Sequence, residues 1–81
     1  MKLTMEQVQE KVFSLIANQF KIPMEQITRE SRLVEDLKAD SANVMVLIMD
    51  LEDSFGMMVE DEMLSKLKTV GDVIDYIKTR Q

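Results

Sequence analysis

Turn-forming residues are scarce in this chain, and that limits what it can fold into. Its 81 residues include two glycines, Gly56 and Gly71, and one proline, Pro23. A strand-and-turn architecture needs more chain reversals than these can serve, so helices are expected. The apolar residues agree. Val8, Val12, Leu15 and Ile16 recur at helical spacing, as do Val70, Val73, Ile74 and Ile77. Each set forms one stripe on a helix.

Capping residues set the expected boundaries. Thr4-Met5-Glu6-Gln7 reads as a capping box that opens helix one. Phe20 extends its stripe, and Lys21-Ile22-Pro23 ends it because a residue before proline avoids the α region. Residues 21 to 39 show no long helical period, which predicts a loop across the bundle pinned by Ile22, Ile27, Leu33 and Leu37. A short turn is expected near Met24 to Ile27. Asp40 caps helix two, which runs to Phe55 with Gly56 just past its end. A short third helix is expected from Glu60 to Lys66, with acids at its start and Lys66 near its end. Thr69 caps helix four, with Asp72 three residues on and Lys78 and Arg80 near its end. The expected fold is all-α: a small four-helix bundle with three longer helices, one short third helix and a long first loop. Residues 1–81 are too few for two cores, so one domain is expected.

Composition narrows the chemistry. There is no Cys and no His, which excludes disulfides, thiol catalysis, Cys or His zinc sites and His acid–base chemistry. No metal site is expected, although a carboxylate-only one is not excluded by composition. Fifteen acids against ten bases give a net charge of −5. Phosphate backbones and anionic membrane surfaces should repel such a chain, so nucleic-acid binding is not expected. No run of 18 apolar residues occurs, so no membrane span is expected. Glu6 and Glu10 interrupt any signal-like stretch, and the expected address is cytoplasmic, or an organelle matrix after removal of a presequence.

Helix two departs from a plain bundle helix. Val44, Leu47, Ile48, Leu51 and Phe55 fall within one arc of about 100°, which is enough to bury it. Ala42, Met45, Val46 and Met49 occupy a second arc, with Asp53 among them. Either the helix is surrounded on both faces, or the second face is exposed and docks partners. Methionine suits docking because it adapts to different surfaces. Asp40, Asp50 and Asp53 would add steering. From Glu35 to Glu62 there are nine acids and one base, Lys38, for a charge of −8, and the rest of the chain carries +3. That block favours basic partners.

Ser41 follows the cap of helix two. By itself it reads as part of the cap. It has no His to activate it as a nucleophile, and Lys38 lies three residues away across a helix start in poor geometry for proton transfer. An acidic, Met-rich calcium sensor or helical adaptor is a further reading. However, a calcium loop ending at Glu62 would begin at Leu51, which is no ligand. A self-standing enzyme would need a carboxylate pair in a pocket, for which the chain has little material. No catalytic residue is expected.

The stretch Val34-Glu35-Asp36-Leu37-Lys38-Ala39-Asp40-Ser41 resembles the attachment motif of acyl carrier proteins. The likeness continues through residues 44–55, Asp61-Glu62 and residues 66–77. The resemblance implies a four-helix carrier of the stand-alone kind, with 4′-phosphopantetheine on Ser41 and acyl groups held as thioesters for fatty-acid synthesis. Asp40 would assist recognition by the phosphopantetheinyl transferase. Ala42, Met45, Val46, Met49, Asp50 and Asp53 would meet partners, namely acyl-transfer, condensing and reducing enzymes with basic patches. Leu51, Met63 and Leu64 would line a cavity for the acyl chain. A monomer suits such a shuttle. Ala42 stands where a large apolar residue is usual, Lys38 where Gly is common, and Asn43 and Val46 replace frequent acids. Ala42 and Val46 motivate the alternative of a discrete carrier for polyketide or other specialised acyl assembly.

Overall fold

The computed structural model describes residues 3–80, with the backbone but not the side chain of Ser41. Helix α1 spans Met5–Phe20 and opens as its capping box predicts. The Gln7 backbone N–H donates to Thr4 Oγ1 at 3.2 Å, and the Thr4 N–H donates to Gln7 Oε1 at 2.9 Å. Val8, Val12 and Ile16 are buried. The helix stops at Lys21, one step before the Ile22-Pro23 pair. Lys21 takes the left-handed conformation (φ 57°), and both its N–H and that of Ile22 turn back to the Ala17 carbonyl. The Ala17 carbonyl thus accepts two donors where the helix ends.

Helix α2 spans Ser41–Phe55, with Asp40 as its cap. Asp40 Oδ1 accepts the Asn43 N–H at 2.9 Å, and Gly56 ends the helix at φ 61°. Helix α3 spans only Asp61–Leu64, shorter than the predicted Glu60 to Lys66. Glu60 is extended and has no side-chain cap bond. At the other end the Met63 carbonyl accepts from both Lys66 and Leu67, which tightens the last turn while Leu67 enters the core. Lys66 therefore lies just past the end of α3 rather than in its last turn. Helix α4 spans Val70–Arg80 and buries Val70, Val73, Ile74, Tyr76 and Ile77. Thr69 and Asp72 cap it reciprocally at 3.1 Å.

Helix α1 packs against both α4 and α2. The core forms between them from the stripes of α1, α2 and α4, joined by Leu67 and by Ile27, Leu33 and Ala39 of the long connection. Ile22 and Leu37 pack against it while half-buried. The connection has one 3₁₀ turn, Met24–Gln26, where a short turn was predicted.

The connection also pairs with the start of α4, which local patterning does not announce. The Leu33 N–H donates to the Lys68 carbonyl at 2.9 Å, Val70 N–H to Ser31 carbonyl at 2.9 Å, and Gly71 N–H to Arg29 carbonyl at 2.8 Å. An antiparallel bridge joins Arg32 to Thr69, and Arg29 pairs with Asp75 at 2.8 Å. The first amides of a helix have no partner within it. Here two of them, on Val70 and Gly71, are satisfied by carbonyls of a distant loop. Gly71 is required by this closeness, because a Cβ there would lie 3.0 Å from the Arg29 carbonyl oxygen. Gly71→Val should lower the stability to urea unfolding by about 1–3 kcal/mol through this clash. An unchanged midpoint would show that the junction yields freely.

Candidate functional site

The long connection delivers the chain to α2 in a compact knot. The Asp36 and Leu37 N–H groups both donate to the Arg32 carbonyl, and the Ala39 N–H donates to the Leu33 carbonyl at 2.9 Å. Ala39 is buried. Lys38 bridges these turns in the left-handed conformation, at φ 60°. That conformation is what glycine adopts without cost, so it accounts for the likeness to a glycine position noted above. The knot ends at Asp40, which is exposed and caps α2. Ser41 is the first residue of α2. Its side chain lies outside the described part of the structure, so its candidate role rests on backbone position. It opens a helix whose N-terminal dipole favours a nearby anion such as a phosphodiester.

The second face of α2 is exposed. Met45 is 47% exposed, Val46 45% and Met49 59%, and Ala42 and Asp53 are exposed too. Asp50 is half-buried. Leu47, Ile48 and Leu51 on the opposite face are buried, with Val44 and Phe55 half-buried beside them. Of the two readings of the helix, surrounded or half-open, the structure therefore has the second. Helix α2 contains no Lys or Arg. Among the described residues no ion pair involves Asp40, Asp50 or Asp53, so their charge is not cancelled locally. An apolar, adaptable strip edged by unpaired carboxylates is suited to brief contact with basic surfaces.

A cleft of about 600 Å³ opens beside the start of α2. Its apolar lining comes from Leu33, Val34, Val44, Leu64 and Leu67. Arg32, Glu35, Ser65, Lys68, Thr69 and Asp72 give it a polar rim. The volume is within the range of small-molecule sites. Val44 lies three residues after Ser41, and residues at that spacing are neighbours on one side of a helix. The cleft is thus about one helical turn from the candidate attachment residue. Of the three candidate cavity residues, Leu64 lines this cleft, Leu51 is in the core, and Met63 borders a separate depression with Tyr76 and Thr79. Leu33, Val34 and Leu67 were not anticipated as lining residues. Val34, 65% exposed, leaves an apolar side chain open to water at that cleft.

Residues 51–55 are helical and Leu51 is buried, so the segment before Glu62 is not an open calcium loop. Among the described residues no three acidic, His or Cys side chains gather to hold a metal. No described helix is long and apolar enough to cross a membrane.

A half-buried cleft wall, an open helix start and an exposed apolar strip edged by carboxylates make a small helical body with a surface suited to brief docking. The comparisons give its class. The family model for a phosphopantetheine attachment site matches residues 10–77. An acyl carrier protein of Lactobacillus johnsonii is 39% identical over 79 residues, covering 98% of this chain and 99% of the relative. One from Thermotoga maritima is 40% identical over 75 residues, covering 93% of each. A solved structure of acyl carrier protein from Enterococcus faecalis matches with a TM-score of 0.84 at 40% identity, covering 98% of this chain and all of that one. The chain belongs to the acyl carrier protein family, whose prosthetic group is 4′-phosphopantetheine.

The knot next to the site has one perturbed carboxylate. Asp36 is held below its ordinary value of 3.8, first by the Arg32 backbone N–H at 2.8 Å and then by the Arg32 guanidinium. A carboxylate with a depressed folded value stabilises the fold above its unfolded value, and that stabilisation is lost as pH falls through the folded value. Asp36→Ala should therefore melt below wild type at pH 7, and the gap should narrow as pH falls below 3.8. A gap that is constant with pH would show that the ionised form does not support the knot.

Proposed function

We propose that residues 1–81 form a single acyl carrier domain in which Ser41 bears 4′-phosphopantetheine. When bound, that group supplies a thiol on which acyl chains ride as thioesters. The protein's own residues do no chemistry on the cargo. They hold the arm at a helix start, present it and give partners a surface to grip. The observation that carries this reading is the placement of Asp40-Ser41 at the head of the exposed face of α2, one turn from the cleft.

The residues divide the work. Asp40 rigidifies the helix start by capping Asn43, and its outward charge is available to a transferase. Ala42, Met45, Val46 and Met49 provide the apolar grip, and Asp50 and Asp53 the steering, for enzymes of fatty-acid synthesis with basic docking patches. Leu64, with Leu33, Val44 and Leu67, offers apolar shelter to a cargo, as burial of methylene groups favours. The carrier works as a monomer in the cytoplasm, alongside those enzymes. The relatives are acyl carrier proteins, which does not favour the specialised-assembly alternative that Ala42 and Val46 motivate.

Incubating the apo chain with a phosphopantetheinyl transferase and coenzyme A should add one phosphopantetheine to the intact mass. Ser41→Ala should add none while keeping its helical circular dichroism. A wild type that stays unmodified, or an S41A chain that is modified equally, would refute the assignment of Ser41.

A further inference from the structure

Methionine is among the side chains most often fully buried, and in this chain it is not. Met1 lies outside the described residues, and none of the other seven methionines is buried. The core is built from Val, Ile, Leu, Ala and Tyr instead. Met57 and Met63 pack against it half-buried, while Met5, Met24, Met45, Met49 and Met58 are exposed. Core packing therefore does not account for the methionines. Leucine has nearly the same volume and would serve as an exposed apolar contact. What methionine adds is flexibility and a sulfur that can be oxidised. Two of the exposed sulfurs stand where oxidation has the most effect. Met45 and Met49 are one turn apart on the open face of α2, 47% and 59% exposed, with the exposed Val46 between them. Residues at i and i+4 are neighbours on a helix, so the two thioethers belong to one patch. Neither packs against the core, so a change at either sulfur leaves the core contacts as they are.

We propose that Met45 and Met49 form a reversible modification site, oxidised to sulfoxides by a neutral hydroperoxide, and that the modification weakens docking on α2. A sulfur lone pair forms the S–O bond with one peroxide oxygen as the O–O bond breaks. The proton of the transferred oxygen moves to the leaving oxygen, which departs as water, or as an alcohol from an organic hydroperoxide. The sulfur is oxidised by two electrons and the peroxide reduced by two. A methionine sulfoxide reductase driven by a dithiol reverses the step: the oxygen leaves as water and the dithiol becomes a disulfide. The carboxylates of Asp50 and Asp53, free of ion pairs among the described residues, repel anionic oxidants but not a neutral one. Each sulfoxide puts a polar oxygen into the apolar grip. Burying that oxygen against a partner's apolar surface costs free energy unless the partner supplies a donor.

The effect on docking rests on the carrier function proposed above. The test treats the apo chain with hydrogen peroxide, locates sulfoxides by peptide mass mapping, and measures binding to a phosphopantetheinyl transferase by calorimetry without coenzyme A. Sulfoxides should form at Met45 and Met49 well before the half-buried Met57 and Met63. The oxidised chain should keep its helical circular dichroism and bind the transferase roughly 10- to 100-fold more weakly, with binding restored by the reductase. Met45→Leu/Met49→Leu should bind like wild type before and after peroxide. Met5→Leu/Met24→Leu/Met58→Leu removes the other exposed sulfurs, including the most exposed at 76%, and should lose binding on oxidation as wild type does. If the leucine pair on α2 binds poorly by itself, this triple variant decides. An unoxidised wild type that does not bind would refute the carrier reading and this proposal with it. An unoxidised chain that binds, and still binds equally after Met45 and Met49 are oxidised, would overturn this proposal alone. So would late oxidation of the two sulfurs, or unfolding on oxidation.

Discussion

A connection that crosses a small core must find partners for its backbone, and here it finds them at the start of α4. The carbonyls of Arg29 and Ser31 take the helix's first two amides, and the Lys68 carbonyl takes the Leu33 amide. One set of bonds thus meets two needs: the unpaired donors of a helix end and the polar groups of a loop leaving α1. The effect extends beyond the junction. Leu33 is pinned in the core, its carbonyl holds the Ala39 amide, and Ala39 is buried one residue before the cap of α2. The head of α2 is therefore placed by contacts that begin at the start of α4.

The division of α2 into two faces follows from the same economy of size. One stripe of the helix, around Leu47, Ile48 and Leu51, supplies the burial that the fold needs. The exposed Met45, Val46 and Met49 add nothing to that core, and leaving them in water forgoes stability. In the function proposed above, their use is in association. Flexible thioether side chains fit differing partner surfaces, and unpaired carboxylates steer basic ones without a large dry interface. A carrier visited by many enzymes needs brief contacts of this kind rather than tight ones.

What the sequence made legible was whatever is local. Thr4 with Gln7, Asp40 before Asn43, Gly56, and Thr69 with Asp72 are caps whose partners lie within a few residues, and they marked the ends of α1, α2 and α4. The amphipathic stripes gave the core, and the double-faced pattern of α2 gave its exposed second face. Non-local pairing was not legible. Nothing near Arg29 or Ser31 announces that their carbonyls will cap a helix some forty residues on. The left-handed Lys21 and Lys38 were hidden because lysine carries no turn signature, although Lys38 occupies a glycine-like position. Helix α3 was read too long, since its end is set by Leu67 turning into the core rather than by its own charges. The cleft was anticipated only through Leu64, because its other walls come from a loop whose register depends on the clasp with α4.

The central claim is that the hydroxyl at the head of α2 holds the arm. Protein purified from its native cells and digested with trypsin tests it most directly. Fragmentation of the peptide spanning residues 39–66 should place phosphopantetheine on Ser41. An unmodified peptide, or a modification that maps to Ser54 or Ser65 instead, would contradict it.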